Sequence, residues 1–407
     1  SEDHSAPTYS IALTYNVGSR DEKPGRTGFA HLFEHMMFQG SENVGKGEHF
    51  LLVNSNGGMM NGSTSADRTN YYQTLPANQL DLGLFLEADR MRSLAVTKAN
   101  FENQRATVKE ERRQNYDNRP YGLSSEALIE TAYDNFAYKH STIGSMADLD
   151  AATVEDAQKF FRQYYAPNNA VLTLVGDFDS KLALEKIKKN FGSIPKQDPP
   201  PQPDMAEPEQ KEERRKSMSD PLARLARVDI AWKIPAGNTP DYYALSVLGQ
   251  VLSSGQSGRL YQRIVLEKEL ALMAAANAQE RRGPGLFFAT AMVRPGQDPA
   301  TVEQAIYDEI EKLKADPVAD WELDKVRLGA KRQTASLQGS SLMRAMMLGQ
   351  YAVSYGQPGL LNDRVALISK VTKDDLQRVA KKYLTRENRT VLTTTPARRA
   401  PVSGGAK

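Results

Sequence analysis

Cysteine is absent from the 407 residues. Disulfides are therefore excluded, and any metal must be held by nitrogen and oxygen ligands. An excess of one charge is also missing: 52 Lys and Arg stand against 50 Asp and Glu, a net of +2. That balance gives no electrostatic footprint for nucleic acid. No apolar run approaches about 18 residues, so no membrane-spanning helix is expected. Histidine is scarce, with only His4, His31, His35, His49 and His140. The absence of cysteine suits an oxidising compartment.

What is present is the mix of an ordinary globular protein, and the length predicts two domains of roughly 200 residues each. Residues 10–17 read as a strand. A loop over 18–28 leads to a helix over 28–38, with Thr27 as its cap and Gly40 as its stop. A helix over 48–54, two strands over 59–64 and 69–75, and helical periodicity over 79–94 and 100–115 follow. Helices over 153–165 and 182–191 flank a strand over 171–175. Pro195, Pro199, Pro200, Pro201, Pro203 and Pro208 then run into the charged stretch 209–216, which carries almost no apolar residues. Such a stretch has no core of its own. The expected division is thus 1–194, a linker at 195–216, a second domain at 217–395, and a disordered tail at 396–407. The second domain repeats a strand, helix, two-strand, two-helix order (227–234, 242–252, 272–279, 286–293, 301–315, 321–337). This weak echo at an offset of about 220 residues predicts two related α+β domains, each mainly antiparallel sheet with helices.

His31 and His35 are four residues apart, so a helix places both imidazoles on one face. Both can reach one Zn²⁺, and the intervening Glu34 can point into the same space as a general base. The order His-x-x-Glu-His inverts the commoner zinc-peptidase helix. The neighbours Phe29, Ala30, Leu32, Phe33, Met36, Met37 and Phe38 are apolar, which predicts a buried helix whose imidazoles need partners. A third ligand should be a carboxylate, leaving a fourth position for water. Among Glu102, Glu110 and Glu111, periodicity favours Glu111, which shares a face with Gln104, Thr107 and Val108. His49 and His140 are possible ligands, but each is isolated, which favours a structural or surface role.

These residues resemble the pitrilysin/insulinase family of zinc peptidases, in particular its bacterial branch of short, processing-peptidase-like subunits. The stretches 17–22 and 27–38, then Phe101-Glu102-Asn103-Gln104-Arg105 and Val108-Lys109-Glu110-Glu111, carry the likeness, with 143–145, 165–170 and 175–178 adding to it. The resemblance independently selects Glu111 as third ligand. It implies two similar domains per subunit and two subunits closing as a clamshell over a peptide chamber. It also likens 57–64 to an edge strand on which a peptide substrate adds, with Asn61 and Gly62 as contacts. A polar residue on an ordinary edge would read the same way.

The departures from the family pattern are informative. Gln104 stands where a second acid beside the metal is usual, reducing the outer charge. The resemblance places a further strand before Ser1. No metal set recurs in the second domain. The family's substrate-holding Arg and Tyr, seven apart, fall on Val265 and Leu272, or the alignment shifts and Arg263 serves. The expectation is a zinc endopeptidase with one Zn²⁺ per chain, working as the metal-bearing half of a heterodimer whose metal-free homologous partner supplies the Arg and Tyr. Periplasm is the expected compartment. A catalytically silent assembly subunit, and a processing enzyme for targeting peptides, are the competing readings.

Overall fold

The computed structural model describes residues 1–397. Most of the expected tail lies outside these residues. Among the described residues, the strands are β1 (Thr8–Tyr15), β2 (Met59–Thr64), β3 (Thr69–Pro76), β4 (Ala170–Gly176), β5 (Arg214–Asp220), β6 (Arg227–Ala236), β7 (Ala271–Ala278), β8 (Pro284–Val293) and β9 (Arg389–Pro396). The helices up to β5 are α1 (Phe29–Met36), α2 (Glu48–Ser55), α3 (Leu80–Ser93), α4 (Lys98–Arg112), α5 (Gly122–Ala132), α6 (Met146–Ala151), α7 (Val154–Tyr164) and α8 (Ser180–Phe191). Those after it are α9 (Pro240–Ser253), α10 (Pro299–Ala315), α11 (Asp320–Gln338), α12 (Ser341–Tyr355), α13 (Leu360–Ser369) and α14 (Lys373–Tyr383). None of these helices is long and apolar enough to cross a membrane.

Two compact units result, and each is assembled from separate stretches of sequence. The first comprises Ser1–Glu111, Phe136–Met205 and Ala330–Ala366. The second comprises Arg112–Asn135, Ala206–Gly329 and the chain from Leu367. The first unit is built on an antiparallel sheet of order β2-β3-β1-β4. Tyr9 and Ile11 of β1, with Leu75 of β3, bury one face under Leu84 and Leu86 of α3. The opposite face is rich in hydroxyls and is covered by α12. Ser10 bonds Ser341 at 2.9 Å, and Thr173 donates to the Ala345 carbonyl at 2.7 Å. The second unit has the sheet order β5-β9-β6-β8-β7, antiparallel except for the β5–β9 pair. Its core gathers Ile230, Trp232, Leu245, Phe287 and Ile306. Both units are thus mainly antiparallel sheet with helices, the α+β class the sequence predicts.

Two local expectations are corrected. The charged end of the expected linker, Arg214-Arg215-Lys216, is the start of β5. An edge strand needs no apolar alternation and favours charge, so periodicity passes over it. The α1 helix begins without the expected Thr27 cap. Its N-cap is Gly28, in the left-handed region at φ 88° and with no side-chain cap bond. Thr27 instead donates its hydroxyl to Asp148 at 2.5 Å. Gly28 is required twice over, because a Cβ there would lie 2.6 Å from the Ile143 carbonyl oxygen. Gly28→Ala is therefore expected to cost about 1–3 kcal/mol of stability, read as a lowered urea midpoint at unchanged slope.

Candidate metal centre

Helix α1 has only two turns, and its two faces differ sharply. Phe29, Leu32, Phe33 and Met36 are buried, with the Phe33 ring 5.1 Å from Phe160 and 5.3 Å from Tyr165. His31, Glu34 and His35, at i, i+3 and i+4, occupy the face this aromatic packing leaves open. Glu111, at the C-terminal end of α4, meets that face. The ligand atoms of His31, His35 and Glu111 all lie within 4.8 Å of one another, the one such group among the described residues.

The distances suit a small divalent ion. His35 Nε2 is 3.3 Å and His31 Nε2 is 3.6 Å from the same Glu111 oxygen. Two ligands held tetrahedrally at about 2.0–2.1 Å are about 3.3 Å apart. Nitrogen and carboxylate donors match the chemistry of zinc. Burial pulls the His31 imidazole down to about 4, the neighbouring His35 pulls it the same way, and Glu111 opposes them. His31 therefore stays neutral, the form a metal ligand requires. Among the described residues its Nδ1 is buried without a hydrogen-bond partner, the outer acceptor that ligating imidazoles usually have.

Glu34 is held from strand β2. Thr64 donates its hydroxyl to Glu34 Oε2 at 2.5 Å. A Cβ on Gly62 would sit 2.9 Å from Glu34 Cγ, so the absent side chain lets β2 approach the carboxyl group closely. Burial raises the Glu34 pKa, while Thr64, His35 and Arg68 pull it back. Thr64 was not singled out from the sequence. The signal was the strand period, since Gly62 and Thr64 share one face of β2.

The structure places the remaining candidates as follows. Gln104 is buried on α4, but its amide donates to Asn103 at 2.8 Å and reaches none of the three ligand side chains. Glu110 and Glu102 are exposed. Asn61 is exposed on β2, the edge strand of its sheet, and accepts from the Gly62 N–H at 2.8 Å. His49 is buried on α2, away from the cluster. His140 faces the Phe136 and Ser19 carbonyls and the Glu22 carboxylate at 2.9–3.0 Å. In the second unit, Val265 is a core residue and Leu272 is exposed on β7.

Comparison with known proteins gives the lineage. Residues 1–146 match the profile "Insulinase (Peptidase family M16)", and residues 151–329 match "Peptidase M16 inactive domain". The chain is 34% identical over 376 residues to zinc protease PqqE of Helicobacter pylori, covering 92% of this chain and 84% of that protein. The chain belongs to peptidase family M16. The crystal structure of a protease from Helicobacter pylori superposes on this M16 chain with a TM-score of 0.92 at 32% identity, covering 97% and 95% of the two chains. The periplasmic protease PqqL of Escherichia coli shares the fold, with a TM-score of 0.76 at 19% identity. It covers 96% of this chain but only 45% of its own length, so it is about twice as long. All four of His31, Glu34, His35 and Glu111 fall in the insulinase match, and none falls in the segment described as inactive.

Proposed function

We propose that this M16 chain is a zinc-dependent endopeptidase. The reading is carried by one observation: three ligand atoms converge on the open face of α1, with a carboxyl group beside them and an edge strand alongside. His31, His35 and Glu111 would hold the zinc, which when bound supplies Lewis acidity toward a peptide carbonyl and makes water a stronger acid. Glu34 takes the proton from the attacking water and delivers it to the leaving amine nitrogen. Thr64 holds the Glu34 carboxylate in place and favours its ionised form against burial. A peptide or unfolded segment adds to β2 as a further strand, taking over the Gly62 N–H now held by Asn61.

The pH profile tests these roles. A general base must be ionised, so kcat/KM falls as pH drops through the Glu34 pKa. Burial puts that limb above the usual carboxylate range. Thr64→Val removes a bond that favours the charged form, so the acid limb moves to higher pH. A limb that stays in place separates Thr64 from the base.

The active unit is a heterodimer enclosing a chamber. Val265 and Leu272 have no donors for substrate carbonyls, so a homologous metal-free subunit supplies the Arg and Tyr. The compartment is the periplasm. Zinc analysis with an internally quenched peptide, run alone and with the partner purified from the same cells, tests the metal, the hydrolysis and the need for a partner. Zinc near one per chain and weak hydrolysis rising sharply with the partner is the expected result. Zinc binding without hydrolysis in either state would make the chain a silent assembly subunit. Sharp cleavage only of basic presequences would make it a processing enzyme.

A further inference from the structure

The mechanism leaves unused a charged pair that is buried behind the metal helix. Helix α1 is so short that its intrinsic stability is negligible, and its alignment depends on what holds its ends. Its first turn has no side-chain cap bond from its N-cap residue, yet two of the N–H groups there are satisfied. The Glu22 carboxylate accepts from the Gly28 N–H at 2.9 Å and from the Ala30 N–H at 2.8 Å. The Glu22 side chain is 0% exposed, a costly place for a charge without a counterion.

The counterion is His140. Its Nε2 is 3.0 Å from Glu22 Oε2 and 2.9 Å from the Ser19 carbonyl, and its Nδ1 is 3.0 Å from the Phe136 carbonyl. Both nitrogens face only oxygen acceptors, and both can donate only when the ring is an imidazolium. Burial opposes that state, but the Glu22 carboxylate and the two carbonyls raise the His140 pKa overall. Phe136 stacks on the ring at 4.5 Å. Asp148, the other acid that feels His140, anchors the preceding residue by accepting from both the N–H and the hydroxyl of Thr27. The chain at Thr27 is therefore already fixed, and Glu22 acts on the helix itself.

We propose that Glu22 and His140 are positioning residues of the metal centre: a buried carboxylate–imidazolium pair locks the first turn of α1, and thereby sets His31 and His35 against Glu111. The inference rests on the reading that these three side chains hold zinc. The carboxylate also places a negative charge at the positive end of the helix, one residue before the first ligand. Glu22 touches neither metal nor substrate, so its effect must pass through the backbone of α1.

The test uses the full chain with Glu22→Gln, His140→Gln and His140→Lys. Zinc affinity is measured by competition with a chelating dye. Exchange of the Ala30 amide and the separate kcat and KM values are measured alongside. Both glutamine variants are expected to bind zinc about 10–100-fold more weakly, the usual effect of outer-shell changes. Their Ala30 amide should exchange faster, and kcat should fall with little change in KM. His140→Lys, which restores the cation, should recover part of the zinc affinity. If Glu22→Gln does not fold, His140→Gln decides, since it keeps the carboxylate. Wild-type zinc affinity and Ala30 exchange in His140→Gln, even at a lower melting temperature, would overturn the inference by leaving only a structural role. A wild-type chain that binds no zinc would instead overturn the peptidase reading.

Discussion

Replacing Glu34 by Gln is expected to leave zinc stoichiometry unchanged and to lower kcat by about 10²–10⁴-fold, the range general-base catalysis supplies. Glu34 is not among the atoms that could hold the ion; it stands beside them. Glutamine keeps the shape, and its amide oxygen can still accept the Thr64 hydroxyl bond seen at 2.5 Å. It cannot take a proton from water. The substitution also removes a carboxyl group whose ionised form burial disfavours, so the melting temperature should hold or rise. KM should change little if, as proposed, the peptide strand binds along β2. Retention of even a tenth of the wild-type rate in zinc-loaded Glu34→Gln would assign the proton transfer elsewhere.

Glu111→Gln is expected to abolish zinc binding and activity together, with a loss of affinity beyond the about 10–100-fold that outer-shell changes cost. Glu111 bridges the two imidazoles, at 3.3 and 3.6 Å. Without its charge, only the two imidazole nitrogens remain. The comparison is with Glu110→Gln, on the exposed side of the same helix, which should bind zinc as the wild type does. Thermal shift gives an independent readout. Zinc at about one hundred times its dissociation constant should stabilise the wild type by about 2.7 kcal/mol and Glu111→Gln by nearly nothing. Equal shifts in Glu111→Gln and wild type would remove Glu111 from the ligand set.

Much of the first unit's local structure can be read along the chain. The β2–β3 hairpin, α2, α3 and α7 follow from period and turn residues within one or two positions. The segment after 337 was not read in advance, and there α12 packs on the hydroxyl face of the first sheet. Its small residues match that face: a Cβ on Gly349 would lie 2.5 Å from the Thr14 hydroxyl oxygen. Pairing of this kind between residues 172 and 331 positions apart leaves no periodic signal in either segment.

The sequence by itself determined which side chains of α1 stand together, because the spacing of His31, Glu34 and His35 is local: one turn of α-helix puts all three on one face, whatever surrounds it. It also singled out Glu111, through the period of α4 and a resemblance since matched by family. Tertiary structure alone decided what holds these groups in register. The Glu22 carboxylate that substitutes for a helix cap, the His140 cation behind it and the Thr64 hydroxyl on Glu34 come from other loops and strands. Glu22 bonds Gly28 across 6 positions, Thr64 bonds Glu34 across 30 and His140 meets Glu22 across 118. Such bonds depend on where the folded backbone brings two segments together, and no spacing within one segment records that.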